Sequence, residues 1–126
     1  MTAVERALGR SRDDLEAARH LAAGGFAGQA ASRAYYAALH GAEAALLSLD
    51  ETRSKHSGVI AAFGQLVVRA GGVDAETARA LRSLFERRNE ADDAGAPLSG
   101  EIAAAAIADA ERFVAAVESW LAGRRE

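Results

Sequence analysis

Ser32-Arg33-Ala34-Tyr35-Tyr36-Ala37-Ala38-Leu39-His40 sets hydrogen-bonding side chains into a segment otherwise so rich in alanine and leucine that it belongs inside a fold. Alanine and leucine favour helix, and at 3.6 residues per turn Arg33, Tyr36, His40 and Glu43 fall close to one line along one face. A buried arginine, histidine or carboxylate without a partner is costly, so this line has to meet complementary groups on another helix, a second chain or a ligand. Tyr35 points off the line, toward core or interface.

The rest of the chain reads as helix on either side of this segment, which is expected to run from about Phe26 to Leu49. Upstream, Thr2 with Glu5 resembles a capping box, and Val4, Leu8, Leu15, Ala18 and Ala22 trace one face until Gly24-Gly25 ends the first helix. Downstream, Ser54 or Ser57 can cap a third helix whose apolar side is Val59, Ile60, Phe63 and Val67, broken by Gly71-Gly72. Asp74 can cap a fourth, with Ala78, Leu81, Leu84 and Phe85 on its apolar face and Arg88 next on the same line. It should finish near Gly95-Ala96-Pro97. Ser99 can start a fifth, burying Ile102, Ala106, Phe113, Val117, Trp120 and Leu121. No run alternates long enough to be a strand. The expectation is an all-α, up-and-down antiparallel bundle of about five helices, in one domain spanning residues 1–126.

Composition narrows the chemistry. The 126 residues contain no cysteine, which removes disulfides, thiolate metal sites and a cysteine nucleophile. A net charge of −3 excludes a globally basic nucleic-acid coat while leaving room for a local cationic cleft. Charged residues such as Arg6, Arg10, Arg12, Asp13 and Asp14 interrupt every apolar run short of the roughly 18 residues a membrane span needs. The reading is a soluble, cytoplasmic protein without membrane association. The histidines at 20, 40 and 56 show no metal spacing, no dinucleotide or nucleophile-elbow motif is present, and no cofactor or metal is expected.

Three constellations remain. The Arg33, Tyr36, His40, Glu43 line is either a general acid/base site, with Glu43 fixing the tautomer of His40, or a structural polar network. Ser54-Lys55-His56-Ser57-Gly58 opens a helix, where free backbone N–H groups attract anions and Lys55, His56 and Ser57 add donors; equally, the serines cap the helix and Lys55 faces water. In Arg87-Arg88-Asn89-Glu90-Ala91-Asp92-Asp93, Arg88 stands where the apolar stripe places an inward side chain, with Asp92 as its intrahelical partner. That pair is structural, or it lines a cleft or dimer seam.

Taken in order, Ser32 to Ala37 with His40, then Lys55 to Ile60 with Phe63, then Arg88 to Asp92, the chain resembles the small prokaryotic HEPN-domain proteins from about residue 11 to 122. The resemblance implies a helical bundle that forms a homodimer and is often encoded beside a minimal nucleotidyltransferase as a toxin–antitoxin-like pair. Many members are metal-independent ribonucleases, with an arginine, a polar residue and, after a short spacer, a histidine forming the active site across the dimer. Arg88-Asn89 matches the start of that motif, but no histidine follows residue 56, and Asp93 stands near the expected place. The related branch commonly has a tyrosine where Asp93 stands. The resemblance therefore implies a protein that binds its nucleotidyltransferase partner, and nucleotide or RNA, through a cleft of Arg33, Tyr36, Glu43, Lys55, Ser57, Asn89 and Asp92. The alternative is an endoribonuclease using Arg88 with His40 or His56.

Overall fold

A computed structural model describes residues 1–94 and 99–124, with side chains described up to residue 88 and again from residue 99. The chain folds into α1 (Ala3–Ala23), α2 (Ala27–Leu47), α3 (His56–Phe63), a π-helical turn (Gly64–Val68), α4 (Ala75–Ala94) and α5 (Gly100–Arg124). Among the described residues there is no strand, and the fold class is the all-α bundle the sequence implied.

Caps explain most boundaries. The Thr2 hydroxyl accepts from the Glu5 amide while the Glu5 carboxylate accepts from the Thr2 amide, the reciprocal box expected of these residues. Gly25, at φ 86°, supplies the left-handed turn after α1. Asp74 and Ser99 accept from the amides of Thr77 and Ile102 and start α4 and α5 as expected.

Three boundary and burial expectations need correction. Helix α2 is shorter than Phe26 to Leu49: Phe26 is the N-cap, and Asp50 turns the chain after Leu47 in a left-handed conformation at φ 59°. Neither Ser54 nor Ser57 caps α3, because Lys55 is the N-cap and Ser57 lies inside the first turn. On α5, Ile102 is 42% exposed, while Ala103, Ala106, Ile107 and Ala110 face the core; the helix meets its neighbours one position round from the expected face at its start. The expected stop at Gly95-Ala96-Pro97 lies outside the described residues.

Contacts between helices fix their directions. Ser11 on α1 donates to the Ala37 carbonyl on α2 and Asp14 meets Arg33, so α1 and α2 are antiparallel. Arg12 pairs with Glu118 and Arg19 with Glu111, making α5 antiparallel to α1 as well. Helix α2 therefore runs parallel to α5 and touches α1, α3, α4 and α5. It does so with alanine: Ala30, Ala34, Ala37, Ala38, Ala42, Ala44 and Ala45 are all fully buried. Small side chains let four neighbours approach one helix closely. Where α2 passes between α1 and α5 it carries Gly41, over which a Cβ would sit 3.6 Å from Val114.

A core contact joins α3 to α5, with the Phe63 and Phe113 rings 5.2 Å apart and both side chains buried. Phe113→Ala should lower stability by about 3–5 kcal/mol through lost contacts and a cavity, read from the urea midpoint. Gly9→Ala, at an open helical position with nothing near a new Cβ, should instead raise it by roughly 0.5–1 kcal/mol.

Candidate functional site

The polar line on α2 finds its partner on α1. Asp14 is nearly buried, its side chain 11% exposed, and its two oxygens divide between two α2 residues: Arg33 Nη1 at 3.1 Å from Oδ1 and His40 Nδ1 at 2.7 Å from Oδ2. One carboxylate thus satisfies both an arginine and a histidine two turns apart on α2. The correction to the sequence reading is plain: Asp14, not Glu43, holds the His40 ring. Glu43 turns instead toward the α2–α3 loop, where it lines a small pocket of about 50 Å³ with Glu51, Thr52 and Arg53.

Tyr36 sits at the middle of the site. The Arg33 guanidinium lies 4.7 Å from its ring centre and Arg88 of α4 lies 5.1 Å from it, each placed for attraction to the ring face. Such contacts contribute about 0.5–2 kcal/mol each. The His40 and His56 rings flank the same tyrosine at 6.2 and 5.8 Å. Helices α2, α3 and α4 thus bring Arg33, His40, His56 and Arg88 around one aromatic ring, with Asp14 as the acidic counterweight to Arg33 and His40.

Tyr35 was expected in core or interface, and it is fully buried. Its hydroxyl nonetheless belongs to the site, 3.1 Å from His56 Nδ1, and Arg88 also lies 5.1 Å over its ring. Burial, opposed by the positive charge of Arg88, pushes the Tyr35 hydroxyl up to about 12. At neutral pH the phenol keeps its proton. Adjacent residues on a helix diverge by about 100°, yet a tyrosine is long enough for both Tyr35 and Tyr36 to reach the α3–α4 junction.

Of the other expected residues, Lys55 and Ser57 are exposed and their side chains make no hydrogen bond or ion pair among the described residues. They do not join the cluster; only His56 of that segment does. The side chains of Asn89 and Asp92 lie outside those described, as does the expected Arg88–Asp92 pair. Asp14 and Ser11 were missed, although each lies four residues before a buried apolar residue, Ala18 and Leu15, on the face that α1 buries. Among the described residues no group of three or more histidine, aspartate or glutamate side chains is placed to hold a metal ion, and no helix is long and apolar enough to cross a membrane.

Fold and site together define a helical bundle with a cationic junction lined by aromatic rings. The family model described as the HEPN domain matches residues 4–120, and the chain belongs to that family. A "UPF0332 protein" of Gloeobacter violaceus is 35% identical, over 91% of this chain and 93% of its own length. A protein of Methanocaldococcus jannaschii named "Putative toxin" is 32% identical, over 88% of this chain and 83% of its own. A "UPF0332 protein" of Thermotoga maritima is 36% identical over 66% of this chain.

Two measurements check the site. In Tyr36→Phe, which leaves Tyr35 as the sole tyrosine, the phenol absorbance should titrate well above the ordinary value near 10. Because the folded value is raised, the stability this group contributes is fully present below about pH 10 and is lost as pH rises toward about 12. In a double-mutant cycle, Asp14→Ala and His40→Ala should couple by about 0.5–3 kcal/mol; additive effects would mean that the contact contributes nothing.

Proposed function

We propose that this HEPN-domain protein is the toxin-like half of a pair with a minimal nucleotidyltransferase, and that the junction around Tyr36 binds the phosphate of a nucleotide or RNA. The observation that carries the binding part is the placement of two guanidinium groups, Arg33 and Arg88, on one tyrosine ring, with two histidines beside it. Asp14 answers Arg33 and His40, and guanidinium groups gathered on one ring are the donors that recognise phosphate oxygens. The names of the archaeal relatives support the toxin-like part.

A second reading, metal-independent RNA cleavage with Arg88 and His40 or His56, is favoured by the Asp14–His40 contact, which resembles the way carboxylates orient catalytic imidazoles. In that reaction the ribose 2′-oxygen attacks the neighbouring phosphorus and gives up its proton to a base. The 5′-oxygen leaves with a proton, and a 2′,3′-cyclic phosphate remains.

Calorimetry with a short single-stranded RNA should show binding that weakens as salt rises and that falls roughly tenfold or more in Arg88→Ala. Salt-independent binding, or a variant that binds as well as the parent, would count against the phosphate site. For the pair, the nucleotidyltransferase product of an adjacent gene should co-purify with this chain, and light scattering should give twice its 13.1 kDa mass for the protein alone. For the second reading, RNA incubated with chelator should end in cyclic phosphate, and His40→Ala should abolish it; RNA left intact retires cleavage.

A further inference from the structure

The two histidines at Tyr36 are held at the same ring nitrogen by partners of opposite hydrogen-bonding character. An ionised carboxylate only accepts, so at 2.7 Å from Asp14 Oδ2 the His40 Nδ1 must carry the hydrogen. A neutral imidazole has one N–H, which leaves the lone pair of His40 on Nε2. That nitrogen makes no hydrogen bond among the described residues, and the His40 side chain is 22% exposed.

At His56 the logic reverses. The Tyr35 hydroxyl is fully buried and keeps its proton at neutral pH, with the Arg88 guanidinium 5.1 Å over its ring. Arginine has no acceptor to offer, so the one proton of that hydroxyl has to be placed elsewhere, and the acceptor within reach is His56 Nδ1 at 3.1 Å. Leaving a buried O–H without an acceptor would cost about 1–3 kcal/mol. Donation from Tyr35 puts the lone pair of His56 on Nδ1 and its hydrogen on Nε2.

We propose that Asp14 and Tyr35 are positioning residues that set opposite tautomers on His40 and His56, so that the site takes a ribonucleotide unit: Nε2 of His40 accepts from a ribose 2′-hydroxyl while Nε2–H of His56 donates to a phosphate oxygen. The choice of ligand follows from polarity. A bare ring nitrogen repels the oxygens of a phosphate and welcomes a hydroxyl proton, whereas an N–H donates to a phosphate oxygen. A deoxyribose lacks the hydroxyl and would leave His40 Nε2 unanswered. The ligand half of this inference rests on the phosphate-binding reading above; the tautomers do not.

Two-bond proton–nitrogen spectra of isotope-labelled protein, recorded above neutral pH, resolve the tautomers directly, since the chain has only three histidines. The unmodified protein should show Nδ1–H for His40 and Nε2–H for His56. Asp14→Asn should change the His40 pattern alone, and Tyr35→Phe the His56 pattern alone. The reverse tautomer at either ring, or a substitution that leaves its histidine unchanged, overturns the assignment; the unmodified spectrum decides even where a variant fails to fold. Calorimetry with octauridylate and its 2′-deoxy counterpart then tests the ligand. Ribose should be preferred by roughly tenfold, with the preference lost in His40→Phe and Asp14→Asn. Equal binding of the two oligomers overturns the hydroxyl contact while sparing the phosphate site. Binding of neither overturns both, and leaves the tautomer result to stand or fall on its spectra.

Discussion

Helix α2 is enclosed by α1, α3, α4 and α5, and this enclosure governs everything polar it carries. Alanine at seven fully buried positions allows the close approach, and close approach excludes water from Tyr35 and restricts it at His40 and Arg33, whose side chains stay 22% and 40% exposed. Each must then find a partner within the protein. Asp14 answers two of them from α1, His56 and Arg88 answer the third, and Ser11 caps a carbonyl of α2 in the same dry layer. The polar cluster is therefore a consequence of the packing as well as a candidate for chemistry.

The same geometry separates two neighbouring arginines. Arg87 turns to α5, where its guanidinium is 2.7 Å from Asp109, a carboxylate that Arg112 also reaches. Arg88, about 100° further round the helix, turns inward to Tyr35 and Tyr36. A partly exposed ion pair of the first kind contributes little, about 0–1 kcal/mol. A guanidinium held against two rings beside two histidines gathers cationic and aromatic groups at one point, and the proposed phosphate site rests on that gathering.

Much of the architecture was legible in the chain because it rests on local rules. Capping boxes, glycine stops and 3.6-residue apolar spacing depend on residues a few positions apart, and at Thr2, Asp74, Ser99 and Gly24-Gly25 they led to the observed helix ends. The rules failed where a local choice was degenerate. Lys55 rather than a serine precedes α3, and α5 begins with Ala103 inward in place of Ile102. An alanine-rich helix presents several faces of similar polarity, so its orientation is chosen by the neighbours it meets.

The sequence by itself determined the helices, the inward position of Arg88 on α4, the polar line on α2 and the absence of the histidine expected beyond Arg88, because each is written in spacing along one segment. Only the tertiary structure decided which groups meet: Asp14 rather than Glu43 at His40, Tyr35 at His56, and both arginines at Tyr36. Periodicity states which face of a helix is buried. It does not state what stands opposite, since that depends on the rotation and offset of one helix against another, set by the sum of many small contacts across the core.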